Sequence, residues 1–154
     1  MLLYLVQHAE AKREEEDPAR GLTDKGLQDI KNVGNYVAGL KIKVGQIFHS
    51  GKTRALQTAQ ILADYLEFEK ELSQTDGLSP MDDPQIWFER ISQTDEDTIL
   101  VGHMPHLGRL AGFLLCGDKD SGPINFKMAG IVCLRRFDDG HWAAEWMITP
   151  EVVK

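Results

Sequence analysis

Short apolar runs alternate with stretches of helical period along this chain, and polar, chemistry-bearing residues follow three of the runs directly. Residues 2–6 (Leu-Leu-Tyr-Leu-Val) lead into Gln7-His8-Ala9-Glu10-Ala11. Residues 46–49 lead into Ser50-Gly51-Lys52-Thr53-Arg54, and residues 98–101 into Gly102-His103-Met104-Pro105. Runs this short, rich in branched and aromatic residues, read as buried strands. Helical spacing follows each one. Leu27, Ile30, Val33, Val37 and Leu40 come after an N-cap at Thr23, and Leu56, Ala59, Leu62, Ala63 and Leu66 mark a helix over 53–66. A short helix is expected over 85–92, and Pro105 starts another through Leu107, Leu110, Ala111, Leu114 and Leu115. Strands at 130–137 and 142–148, joined at Asp138-Asp139-Gly140, read as a hairpin. Segments 12–21 and 73–84 read as loops. The pattern predicts a three-layer α/β/α sandwich with a mostly parallel sheet closed by a C-terminal hairpin. The 154 residues suit a single domain spanning 1–154.

In such a sheet, ligands bind beyond the carboxyl ends of the strands. His8, Arg54 and His103 each stand just past such an end, so the pattern brings two imidazoles and a guanidinium together. That set suits phosphoryl transfer, which needs positive charge around an anionic group and an attacker held in line. A neutral imidazole attacks phosphorus well if its second nitrogen is pinned, usually by a backbone carbonyl. Arg54, near a helix start, grips two oxygens with its fork and adds the N–H groups there. His103 offers a hydrogen bond or a positive charge to the same oxygens. Zinc ligation by His8, Glu10, His49 and His103 is the rival reading, opposed by the lack of an HxH or HxxxH pair and by the nearby arginine. His49 otherwise reads as strand packing, His106 as a helix residue and His141 as hairpin surface. The run Glu14-Glu15-Glu16-Asp17 reads as a solvated segment.

The bulk properties narrow the partners. A net charge of −7 argues against duplex nucleic acid, so an anionic substrate must be held by a local cluster of cations. Cys116 and Cys133 lack CxxC spacing and read as buried, reduced thiols. The first apolar run is too short for a signal sequence and no stretch approaches a membrane span, so a cytoplasmic protein is expected. Trp142 and Trp146 read as core or interface residues, with core packing expected for at least one.

These motifs together resemble the histidine phosphatase superfamily, and within it the SixA-type phosphohistidine phosphatases. The family's Arg-His-Gly signature corresponds to Gln7-His8-Ala9. Its Arg-x-Leu-Thr-x-x-Gly element matches Arg20 to Gly26, its Ser-x-x-x-Arg-Ala-x-Gln-Thr-Ala element matches Ser50 to Ala59, and its Gly-His-x-Pro element matches Gly102 to Pro105. The resemblance implies that His8 becomes phosphorylated, that Arg54 and His103 complete a phosphate pocket with Gln7, Arg20 and Ser50 binding substrate, and that no metal or other cofactor takes part. It implies a phosphorylated protein as substrate, such as a histidine phosphotransfer domain, in protein dephosphorylation and signal transduction. Gln7 departs from the family, which places an arginine there. A charge-assisted hydrogen bond exceeds a neutral one by about 0.5–2 kcal/mol, or roughly two- to thirtyfold in rate if all of it falls on the transition state. Arg20, or else Lys12 or Arg13, is positioned in sequence to compensate. Ester-cleaving relatives also need a carboxylic acid for the leaving group, with Asp76, Asp82 and Asp83 as candidates. Two alternatives therefore stay open: a small-molecule phosphomonoesterase, and a catalytically weak phosphate- or phosphoprotein-binding module.

Overall fold

A computed structural model describes all residues, Met1 to Lys154. Six strands form one sheet: β1 (Leu2–Gln7), β2 (Gln46–His49), β3 (Ser73–Gln74), β4 (Thr98–Gly102), β5 (Ile131–Arg136) and β6 (Trp142–Ile148). Their spatial order is β3-β2-β4-β1-β5-β6. The pairs β1–β4, β2–β4 and β2–β3 are parallel, whereas β5 runs antiparallel to both β1 and β6. The architecture expected from the alternating pattern is therefore present: a parallel half extended by an antiparallel hairpin.

Strand alternation divides the core into two layers. Tyr4 and Val6 face helices α1 (Asp24–Ala38) and α2 (Thr53–Tyr65), packing with Val33, Val37, Leu62, Ile99 and Val101. Leu3 and Leu5 face α3 (Pro84–Ser92) and α4 (His106–Cys116), packing with Trp87, Ile91, Leu100, Leu107 and Leu110. Covered on both faces, β4 is buried throughout, as expected of a central parallel strand.

Local chemistry sets the helix ends. Thr23 caps α1 by accepting from Gly26 N–H at 3.0 Å. Gly26 itself is required, because a Cβ there would lie 2.2 Å from the Glu10 carbonyl oxygen. That close approach seats the loop after β1 on the first turn of α1. Asp83 caps α3 through Gln85 N–H, and Gly117 ends α4 in the left-handed conformation at φ 68°.

Some expectations are corrected. Leu40 lies beyond α1 and is exposed, because the helix ends at Ala38 and Gly39 caps it. The segment 73–84 contains β3, two exposed residues added to the sheet edge beside β2, too short to leave a periodic signal. Pro105 caps α4 rather than starting it, after a cis Met104–Pro105 bond. Cys116 is exposed at the end of α4, whereas Cys133 is buried and its thiol is pushed up to about 12 by burial. Asp17 is more than a solvated charge: its carboxylate accepts from Ala19 and Gly21 N–H and folds the loop around it. Both tryptophans pack on the core, Trp146 near Tyr4 and Trp142 beneath Arg136. No helix is long and apolar enough to cross a membrane.

Candidate active site

The parallel register decides where the site forms. Gln7 pairs with Gly102, the last residue of β4, and His8 N–H continues that ladder to the Gly102 carbonyl at 3.0 Å. His8 and His103 thus leave adjacent strand ends, their ring centroids 5.0 Å apart and tilted by 49°. Ser50, just past neighbouring β2, reaches His103 Nε2 with its hydroxyl at 2.7 Å.

His8 is half-buried. Its Nδ1 lies 2.7 Å from the carbonyl oxygen of Ala9. A carbonyl only accepts, so Nδ1 carries the proton and Nε2 keeps its lone pair. Burial lowers the pKa below that of ordinary imidazole, with the charges of Arg54 and Arg20 acting in the same direction against the Ala9 bond. His103 is only 1% exposed, and burial, with His8, Arg54 and Lys52 nearby, pushes its pKa down to about 3. Both rings are neutral at neutral pH, so of the two options read for His103 the free site favours a hydrogen bond over a charge.

Arg54 stands in the first turn of α2, with its Nε–H buried and without a protein partner. Gln7 Oε1 and His103 Nδ1 are likewise buried and unpartnered. Arg20 joins from a folded loop. Lys12 N–H bonds to the Gly21 carbonyl at 2.8 Å, an isolated bridge pairs Ala11 with Leu22, and Arg20 Nε–H donates to the Lys12 carbonyl at 3.1 Å. The charge of Arg20 acts on both His8 and Arg54. A chain of net charge −7 therefore carries two guanidiniums beside a neutral imidazole lone pair, an arrangement for binding and attacking an anion.

The rival zinc set does not assemble. No group of three or more His, Cys, Asp and Glu side chains gathers at metal-binding spacing. Glu10 instead accepts from the Thr23 hydroxyl at 2.9 Å, and buried His49 accepts from Gly51 N–H. The three candidate acids are engaged in local structure. Asp76 pairs with Arg90 at 2.8 Å, Asp82 accepts from Ser79 N–H, and Asp83 caps α3. His106 is fully buried on α4 with neither ring nitrogen partnered, and His141 sits beside Asp139 on the hairpin surface.

Sequence reading missed the residues behind the site. Thr58 Oγ1 accepts from Ala9 N–H at 3.0 Å, Gln57 Oε1 accepts from Leu22 N–H at 2.8 Å, and Ala129 N–H reaches the carbonyls of Gln7 and His8. A hydroxyl on the otherwise apolar face of Ala55, Ala59 and Leu62 was the available signal, since a buried hydroxyl needs partners. Five surface depressions of about 260–400 Å³ are not lined by His8, Arg54 or His103. The imidazole site lies outside them.

A family model for the histidine phosphatase superfamily (branch 1) matches residues 3–83. An uncharacterized protein of Picosynechococcus sp. (strain ATCC 27264 / PCC 7002 / PR-6) is 34% identical over 142 residues, covering 88% of this chain and 85% of that protein. Phosphohistidine phosphatase SixA of Escherichia coli (strain K12) is 23% identical over 155 residues, covering 97% and 94% of the two chains. Among solved structures, the protein histidine phosphatase SixA complexed with tungstate superposes with a TM-score of 0.86 at 23% identity, over 100% of both chains.

Proposed function

Because this chain belongs to the histidine phosphatase superfamily, and is by that membership a phosphatase hydrolase, we propose that it dephosphorylates phosphohistidine on a partner protein with His8 as nucleophile. His8 Nε2 attacks the phosphorus, an Nε2–P bond forms, and the bond from phosphorus to the substrate imidazole breaks. The released imidazole takes a proton from solvent. Water then attacks phospho-His8, releasing inorganic phosphate and restoring the neutral ring. The carrying observation is the hydrogen bond from His8 Nδ1–H to Ala9, which leaves Nε2 unprotonated next to His103.

Arg54 and Arg20 hold the phosphoryl oxygens, and their charge stabilises the more anionic transition state. His103, its ring fixed by Ser50, donates a further hydrogen bond, while Gln7 supplies an amide where the family has a cation. The engagement of Asp76, Asp82 and Asp83 in local structure favours phosphohistidine over an ester, because imidazole leaves without a strong acid and an alkoxide does not. That His8, Arg54 and His103 line none of the five depressions described above favours a protein-borne phosphoryl group over a small enclosed substrate.

The test sets phosphohistidine-carrying proteins beside small phosphate esters, with wild type and His8→Ala. Phosphate release is expected from the protein substrate, with an acid-labile label on His8, and a loss on the order of a thousandfold in His8→Ala. Equal activity in the two proteins removes His8 from the mechanism. Turnover of esters alone supports the phosphomonoesterase, and reversible phosphate binding without a label supports the binding module.

A further inference from the structure

Helix α2 meets the site at three points, and Arg54 is only one of them. One turn further along, Gln57 and Thr58 each reach a different loop far away in sequence. Thr58 is fully buried. Its hydroxyl donates to the Arg54 carbonyl at 2.7 Å, the common back-bond of a helical threonine, and accepts from Ala9 N–H at 3.0 Å across 49 residues. Ala9 is the residue whose carbonyl pins His8 Nδ1. Hydrogen bonds on the two sides of Ala9 thus link the His8 ring, through Ala9 and Thr58, to the backbone of Arg54.

Gln57 does the same for the other loop. Its Oε1 accepts from Leu22 N–H across 35 residues. Its amide also packs against Gly21, where an added Cβ would lie 3.4 Å from Gln57 Oε1 and 3.2 Å from Asp17 Oδ2. Arg20, immediately before, sits at φ 54°, a left-handed conformation uncommon outside glycine. It is held from both sides: Arg20 N–H bonds to the Asp17 carbonyl, Gly21 N–H to the Asp17 carboxylate, and Leu22 N–H to Gln57. Strained backbone of this kind persists only where its surroundings hold it.

We infer that Gln57 and Thr58 are positioning residues with separable tasks: Thr58 fixes the His8 ring relative to Arg54, and Gln57 fixes the Arg20 loop relative to Arg54. The inference rests on the roles proposed above for His8, Arg20 and Arg54. Helix α2 is then the common frame for the nucleophile and both cations. Loss of the Thr58 bond disturbs the attacking group, which acts on kcat. Loss of the Gln57 bond disturbs a phosphate-binding cation, which acts on KM.

The experiment uses Thr58→Val and Gln57→Met, which keep shape and remove the hydrogen-bonding groups, with Thr58→Ser as the conservative variant. Two readouts need no turnover: the nitrogen NMR shifts of the His8 ring, and calorimetric binding of inorganic phosphate. Thr58→Val is expected to shift the His8 ring nitrogens toward a mixture of tautomers with phosphate affinity held within about twofold, and Thr58→Ser to restore the wild-type signal. Gln57→Met is expected to weaken phosphate binding about tenfold and leave the His8 nitrogens in place. With a phosphohistidine protein, Thr58→Val lowers kcat about tenfold or more and Gln57→Met raises KM. Equal effects of both variants on both readouts, or no effect on either, overturn the inference, as does a Thr58→Ser protein that behaves like Thr58→Val. If Thr58→Val does not fold, Thr58→Ala takes its place under the same criteria. Wild type that leaves phosphohistidine intact while the NMR and binding split holds overturns the proposed function alone.

Discussion

At the carboxyl ends of the parallel strands, polar groups are buried and sparsely partnered, whereas in the β5–β6 hairpin the arginines are half-buried and paired. His103 has one partner for its two ring nitrogens, His106 has none, and Gln7 Oε1 and Arg54 Nε–H are unpaired as well. On the hairpin, Arg135 pairs with Glu145 at 2.6 Å, and Arg136 donates to Asp95 and to the carbonyls of Ile91 and Thr94. A buried unsatisfied polar group costs about 1–3 kcal/mol, so a cluster of them marks a place where stability gives way to ligand binding. The hairpin serves the fold: β5 pairs with β1, and hairpin side chains enter both core layers.

The sharpest way to break this comparison is acid. Above about pH 6.5 the imidazoles of His103 and His106 are neutral in folded and unfolded chains alike, and stability is at its full value. Below it the unfolded imidazoles bind protons, while the folded ones stay neutral until about 3 for His103 and about 4 for His106. The unfolded state then holds more protons, so stability falls as pH drops from 6.5 toward 4. Urea midpoints between pH 7.5 and 4.5 should show this loss. His106→Gln should flatten part of the slope. An unchanged slope in His106→Gln would erase the distinction between the regions.

A smaller effect sharpens the comparison inside the site. Gln7→Arg places a charge where the amide now stands and should raise the phosphatase rate roughly two- to thirtyfold. An unchanged or lower rate would mean that Arg20 and Arg54 already supply all the charge the reaction uses. The smallest effect belongs to the hairpin. Glu145→Gln removes an ion pair whose side chains are 40% and 33% exposed, and should leave the urea midpoint nearly unchanged with activity intact. A larger change in denaturation, or any loss of turnover, would show that the hairpin contributes to more than the fold.

Much of this organisation is legible from particular residues. The runs at 2–6, 46–49 and 98–101 carry a strand signal that needs no partner to be read, and each ends within a residue or two of where its strand does. His8, Ser50 and His103 follow those runs closely, so their meeting at the carboxyl ends of the parallel strands is a consequence of parallel pairing. Arg20 was harder to place. Its segment has no periodicity, and its position depends on Asp17 and Gln57, neither of which carries a local signal. Leu40 continued an apolar period past the end of α1, and Cys116 sat among apolar neighbours in sequence yet faces solvent.

The sequence by itself determined the four helices, every strand but β3, their order and the residues at the strand ends, because hydrophobic period and capping act over a few neighbouring residues. The tertiary structure alone decided the His8 tautomer, the anchoring of its loop by Thr58 and the seating of Arg20 by Gln57. It also decided the burial that keeps both site imidazoles neutral. Each of these depends on hydrogen bonds or desolvation created when distant segments pack, and no local pattern encodes a contact between residues 35 or 49 positions apart.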